Sequence, residues 1–204
     1  MVSWSRRVVF GPGRSHVVCV VGLLAALLLC SAEPAPATSQ RPPQTLGRFE
    51  PSPIEVAERM LQLAGVTRND VVFDLGSGDG RIVILAATRH GARGVGVEID
   101  PQLVALSRQH ARHSQVEHLV TFVNADALTV DVSPATVVTL FLTRQANLLL
   151  RPKLLSQLPR GARVVSHWHD MGDWAPERVE RIRSTCGGSG NSDREEPHGD
   201  SVVD

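Results

Sequence analysis

The sequence predicts an α/β fold, a parallel sheet with helices on both faces, and three observations predict it. A short β-prone run, Val71-Val72-Phe73, stops at glycines in alternate positions, Gly76, Gly78 and Gly80, and a helical apolar stretch from Arg81 to Ala87 follows. Segments of strand and helix character then alternate as far as Ser166, as they do when parallel strands are joined through helices. An acidic side chain, Glu98, closes the second of these strands, about two dozen residues beyond Asp74. Ligands of such sheets sit outside the carboxyl ends of the strands.

Taken in order, the chain opens with Arg6, Arg7 and Arg14, the apolar run Val17 to Leu29, and small residues at Cys30-Ser31-Ala32 and Ala35-Pro36-Ala37, with no acid before Glu33. This is the layout of a secretory signal peptide over residues 1–32, and the run is short of the ~18 apolar residues of a membrane span. The alternatives are an uncleaved anchor, a mitochondrial-type presequence in a eukaryote, or a misplaced start codon. The expectation is an exported protein, or one associated with a membrane through residues 17–29; a misplaced start would make it cytoplasmic. Residues 33–48, rich in Pro, Ala, Ser and Thr, read as an extended linker.

At 204 residues, 42% of them hydrophobic, the chain can bury the core of one domain of about 150 residues, placed at 49–183 and expected to be a monomer. Acidic and basic side chains balance at 21 each, so no basic footprint for a nucleic-acid backbone is present. Removal of the signal would leave only Cys186 of three cysteines, which excludes a disulfide framework.

Within the domain, Ser52-Pro53-Ile54-Glu55 reads as a capping box, followed by Ile54, Ala57, Leu61 and Ala64 on one helical face until Gly65. The central strand and its glycine turn come next, opening onto a helix that ends near Gly91. The spacing of the turn differs from the dinucleotide fingerprint, whose glycines fall at the first, third and sixth positions. Asp74 beside the turn would repel a pyrophosphate and suits a ligand carrying an ammonium group, such as S-adenosylmethionine. Gly94 to Ile99 is the second strand, Asp100-Pro101 starts a helix to about His113, and Val120 to Val123 is the third strand. Thr136 to Leu142 is a fourth, apolar enough to lie centrally. A helix over Asn147 to Leu155, kinked or restarted at Pro152, precedes a fifth strand at Ala162 to Ser166, and Arg178 to Arg183 is a candidate sixth.

Asp74-Leu75-Gly76-Ser77-Gly78-Asp79-Gly80, then Gly94-Val95-Gly96-Val97-Glu98-Ile99-Asp100, then Asn124-Ala125-Asp126-Ala127 together resemble the cofactor half of class I S-adenosylmethionine-dependent methyltransferases. A closer resemblance, from about Phe49 to Arg183, is to small bacterial relatives of the mitochondrial lysine N-methyltransferases of the ATP synthase c-subunit and the adenine nucleotide carrier. The resemblance implies a Rossmann-like sheet and a cofactor site of Asp74, Gly76, Ser77, Gly78, Asp79, Gly80, Glu98, Ile99, Asp126 and Ala127. Asp74 and the turn amides would hold the methionine moiety, Glu98 the ribose, Asp126 the adenine amino group, and the Ala127 amide the adenine ring. Pro51-Ser52-Pro53 resembles a short family motif that closes over the ligand, with a plain helix cap as its alternative.

On the acceptor side, Thr139-Leu140-Phe141-Leu142 stands where base and amide methyltransferases carry Asn or Asp, Pro-Pro and an aromatic, which argues against those acceptors. Arg144 departs from the proline of bacterial relatives. Ser166 to Trp174 holds His167, His169 and Asp170, which do not form a closed metal-ligand set and read as a lip over the acceptor pocket, with a structural loop as the rival. Class I methyltransferases finish with an antiparallel strand inserted beside the fifth, and no segment supplies it: residues 184–204 read as a disordered tail and Val202-Val203 is too short. The function implied is methyl transfer to a protein lysine. The alternatives are a small-molecule acceptor, or a non-catalytic module that binds the cofactor. No residue is marked as a catalytic base.

Overall fold

The structure is a computed structural model that describes residues 2–5 and 51–182. The predicted apolar runs pair side by side. In chain order the elements are β1 (Val2–Ser5), α1 (Ile54–Leu63), β2 (Val71–Leu75), α2 (Arg81–His90), β3 (Arg93–Glu98), α3 (Pro101–His113), β4 (Val120–Asn124), β5 (Val137–Leu140), α4 (Arg144–Gln157), β6 (Arg163–Ser166) and β7 (Arg178–Val179). One sheet in the order β4-β3-β2-β5-β6-β1-β7 contains all the strands, with β4, β3, β2, β5 and β6 parallel. It is the class I methyltransferase sheet that the sequence implied.

Alternation along each strand divides the core. Val72, Val137 and Val165 face α1, α2 and α3, where they meet Met60, Leu61, Val83 and Ala86. Phe73, Leu75, Val138, Leu140 and Val164 face the other way and pack with Leu150, Leu154 and Leu158. Burial on both faces is why these strands read as continuous apolar runs. α3 is capped by Asp100, whose side chain accepts from Gln102 N, with Pro101 in its first turn.

The structure corrects several boundaries. No side chain caps α1; Pro53 holds the cap position and Ser52 turns inward, so the expected capping box is absent. α4 runs unbroken through Pro152, since the ring removes one backbone donor while Leu150 and Leu154 stay fully buried on either side. β7 covers only Arg178–Val179 of the predicted Arg178 to Arg183.

The place beside β6 where the last antiparallel strand is expected is filled from the other end of the chain. β1 pairs antiparallel with β6, Val2 opposite Ser166 and Ser5 opposite Arg163, and antiparallel with β7. The sheet therefore draws on residues inside the expected signal segment. The apolar run 17–29, the linker and the tail lie outside the described residues, among which no helix is long and apolar enough to cross a membrane. Deleting residues 1–5 is expected to lower the unfolding free energy by about 3 kcal/mol, through the ladder bonds lost. An unchanged melting midpoint would show that the sheet does without β1.

Candidate functional site

The glycine turn leaves the carboxyl end of β2 and is shaped by its neighbour β3. Gly76 N and Ser77 N both donate to Val97 O (2.9 and 3.0 Å), Gly78 N donates to Glu98 Oε2 (2.8 Å), and Gly80 N donates to Ser77 O (2.9 Å). These amides hold the turn itself, so they are not free donors for a ligand as the sequence reading expected. Gly80 has φ +81°, and a Cβ there would lie 2.6 Å from Phe122 and 2.9 Å from Ser107. A side chain is excluded at Gly80 by both backbone and packing.

Two carboxylates are buried at this edge. Asp74, 2% exposed, accepts from Thr139 Oγ1 at 2.7 Å. Burial pushes its pKa up to about 7, with the Thr139 hydrogen bond opposing and Glu98 and Asp79 adding to the rise. Glu98, 8% exposed, accepts from Gly78 N, Ile99 N (2.8 Å) and Asp100 N (3.0 Å). Among the described residues neither acid pairs with a lysine or arginine. Buried carboxylates without a cation are costly, and a cationic ligand would offset that cost. The cradle therefore fits the sulfonium cofactor that the sequence implied.

Asp79 is paired with Arg81. Burial would raise its pKa, but the Arg81 fork, at 2.9 and 2.6 Å, outweighs this and keeps the carboxyl below its ordinary range. Arg81 also donates to Ser52 O at 2.7 Å, which ties the entry of α1 to the turn. Asp126 follows β4 and accepts from Leu128 N (2.8 Å), an ordinary turn contact. Beside it, Ala127 is buried and its carbonyl accepts from Lys153 Nζ (2.8 Å). Asn124 fastens this corner to β3 by donating to Glu98 O and Ile99 O.

Leu75, Leu140 and Ser166 lie in one register row, so Gly76, Phe141 and His167 leave three adjacent strands side by side. At the usual strand spacing, His167 stands about 10 Å across the edge from the glycine turn. Its ring lies 4.2 Å from that of Phe141, and its Nδ1 is 3.4 Å from Ser52 Oγ. Burial pushes the His167 pKa down to about 4, so the imidazole is neutral at physiological pH. Ser52, read from sequence as a cap, thus meets both Arg81 beside the glycine turn and His167 at the end of β6. The Ser52–His167 contact and the Thr139 support of Asp74 join residues far apart in the chain, and no local pattern announces either. No group of three or more His, Cys, Asp or Glu among the described residues is arranged to hold a metal ion.

The family model described as the ANTKMT methyltransferase domain matches residues 74–178. A protein-lysine N-methyltransferase of Saccharolobus islandicus (strain REY15A) is 39% identical over 135 residues, covering 66% of this chain and 84% of that protein. The mouse adenine nucleotide translocase lysine N-methyltransferase is 42% identical over 109 residues, 53% of this chain and 47% of the relative. The human lysine N-methyltransferase of the ATP synthase c-subunit is 35% identical over 131 residues, 64% of this chain and 55% of the relative. The chain thus spans about half the length of these mammalian relatives. Among solved structures, a protein described as an RNA methyltransferase from Salinibacter ruber, in complex with S-adenosyl-L-homocysteine, is 54% identical. It superposes with a TM-score of 0.65 over 65% of this chain and 87% of that one.

Proposed function

This chain belongs to the ANTKMT methyltransferase domain family and uses S-adenosylmethionine as its methyl donor, and on that premise we propose that its acceptor is a lysine side-chain amine of a protein. The cofactor supplies a methyl group already activated on a sulfonium. Asp74 would face its cationic methionine end and Glu98 its ribose hydroxyls, with Ile99 beside them; Asp126 and the Ala127 amide would meet the adenine. The remaining task of the chain is to bring a deprotonated amine into line and exclude water.

The observation that carries the lysine reading is the edge beside the cradle. It is formed by Phe141 and a neutral His167, while the nearby acids Asp170 and Asp173 are each paired with an arginine. An apolar site without a free carboxylate lowers the pKa of an entering lysine and favours its neutral, nucleophilic form. With the cofactor bound, its methyl group would pass to that amine, the sulfur leaving as a neutral thioether, and the product ammonium would release one proton to water. The similarity to the archaeal protein-lysine methyltransferase supports the same acceptor.

The description of the Salinibacter ruber protein favours a second reading, an RNA acceptor. Incubation of the purified protein with methyl-labelled cofactor and a whole lysate separates the two. Label removed by protease and recovered as methyl-lysine is the expected result. Label removed by nuclease would replace the lysine reading, and S-adenosylhomocysteine binding without transfer to any fraction would indicate a non-catalytic module.

A further inference from the structure

The strap from Ser166 to Asp173 leaves β6 at the acceptor edge and is fastened along its length by α4. Asn147, fully buried, donates from Nδ2 to Ser166 Oγ (3.0 Å) and His169 O (3.1 Å), and Ser166 Oγ itself donates to His169 O (2.7 Å). Arg144 Nε meets the Asp170 carboxylate at 3.2 Å, while Arg151 donates to Met171 O at 3.0 Å and pairs with Asp173. Met171 is buried, and His167 N donates to Leu140 O at 2.8 Å.

One residue of this tightly held strap departs from what stability alone favours. Trp168 is 72% exposed and has φ +75°, a left-handed conformation that L side chains seldom adopt. A large apolar side chain kept in water on strained backbone is the pattern of a recognition residue, and the inference runs from that observed outlier. Its ring stands edge-on to His167, 6.1 Å between centroids. Nδ1 of His167 faces Ser52 Oγ, and Nε2 has no hydrogen-bond partner among the described residues.

We propose that Trp168 and His167 form a clamp for the acceptor lysine: the indole packs on the alkyl chain, and Nε2 of His167 accepts a hydrogen bond from the amine. This rests on the lysine reading given above. In the tautomer whose Nδ1–H donates to Ser52 Oγ, the Nε2 lone pair is left for an amine N–H, and the Phe141 ring packs against the imidazole. The indole face suits a methylene chain ending in nitrogen. Stacking of a nucleobase on the same ring is the competing use, but Arg144 and Arg151, the arginines that fasten the strap, are each paired with an aspartate.

The test compares wild type, Trp168→Ala, Trp168→Phe and His167→Ala, using methyl-labelled cofactor, total lysate protein freed of nucleic acid, and calorimetric binding of S-adenosylhomocysteine. Trp168→Ala is expected to slow transfer at limiting acceptor roughly tenfold, with Trp168→Phe recovering most of it. His167→Ala is expected to lower kcat more than it raises KM, and all variants should bind S-adenosylhomocysteine within about twofold of wild type. Transfer to protein that is undiminished in Trp168→Ala and His167→Ala would overturn the clamp alone. Cofactor affinity falling in step with rate would overturn it too, by showing that the strap only supports the cradle. A wild type that labels no protein would overturn the lysine reading and the clamp with it.

Discussion

Replacing Glu98 with alanine is expected to cost both stability and cofactor binding, because one carboxylate serves the turn and the ligand together. Its oxygens accept from Gly78 N, Ile99 N and Asp100 N at 2.8 to 3.0 Å. Removal leaves three backbone donors without their charged acceptor, and with partial replacement by water the loss should be about 3 kcal/mol. The Gly78 contact fixes the glycine turn against β3, so the turn should loosen as the ribose anchor disappears. The affinity for S-adenosylhomocysteine is expected to fall at least about 100-fold, equivalent to two lost charge-assisted hydrogen bonds. Glu98→Gln keeps the shape and one good acceptor, and should fall between the two. Thermal melts and calorimetry on the three proteins check this. Wild-type affinity in Glu98→Ala would remove Glu98 from the cofactor site, and a wild-type melt would show that the turn needs no such brace.

The contrast between Glu98 and Ser52 shows what a sequence makes legible in this fold. Glu98 can be found because its significance is local: an acid at the end of an apolar strand, after a glycine turn of a particular spacing. The same holds for α3, where Asp100-Pro101 announces the helix that follows. Ser52 misleads for the complementary reason. Its neighbours Pro53, Ile54 and Glu55 satisfy the local pattern of a cap, while its actual partner, His167, lies 115 residues away. Pairing between β1 and β6 spans a still longer separation, and Val2–Ser5 is too short a segment to signal a strand. Its position ahead of an apolar run directs a sequence reading toward export. Pro152 illustrates a tertiary override: the propensity for a break is real, but burial of Leu150 and Leu154 against the sheet outweighs one missing backbone bond.

Asp74 is expected to make both folding and cofactor binding depend on pH, with opposite signs. Its folded pKa of about 7 lies above the ordinary 3.8, because burial disfavours the charged carboxylate and Glu98 and Asp79 add to that, against the Thr139 hydrogen bond. Between about pH 4 and 7 the folded chain therefore keeps a proton that the unfolded chain has released. By linkage, stability of the cofactor-free protein falls as pH rises through that window and levels off above it, by an amount on the order of 4 kcal/mol. A cationic ligand reverses the preference, since only the ionised carboxylate attracts it. Cofactor affinity should then rise about tenfold per pH unit up to about pH 7, and binding at pH 6 should release close to one proton. Calorimetry at pH 6 in two buffers of different ionisation enthalpy reads that proton directly. In Asp74→Asn, the slope of stability between pH 4 and 7 should flatten and the proton release should vanish, with affinity weakened at every pH. A wild-type protein whose affinity does not change from pH 5.5 to 8 would mean that the buried carboxyl of β2 does not meet the charged end of the cofactor.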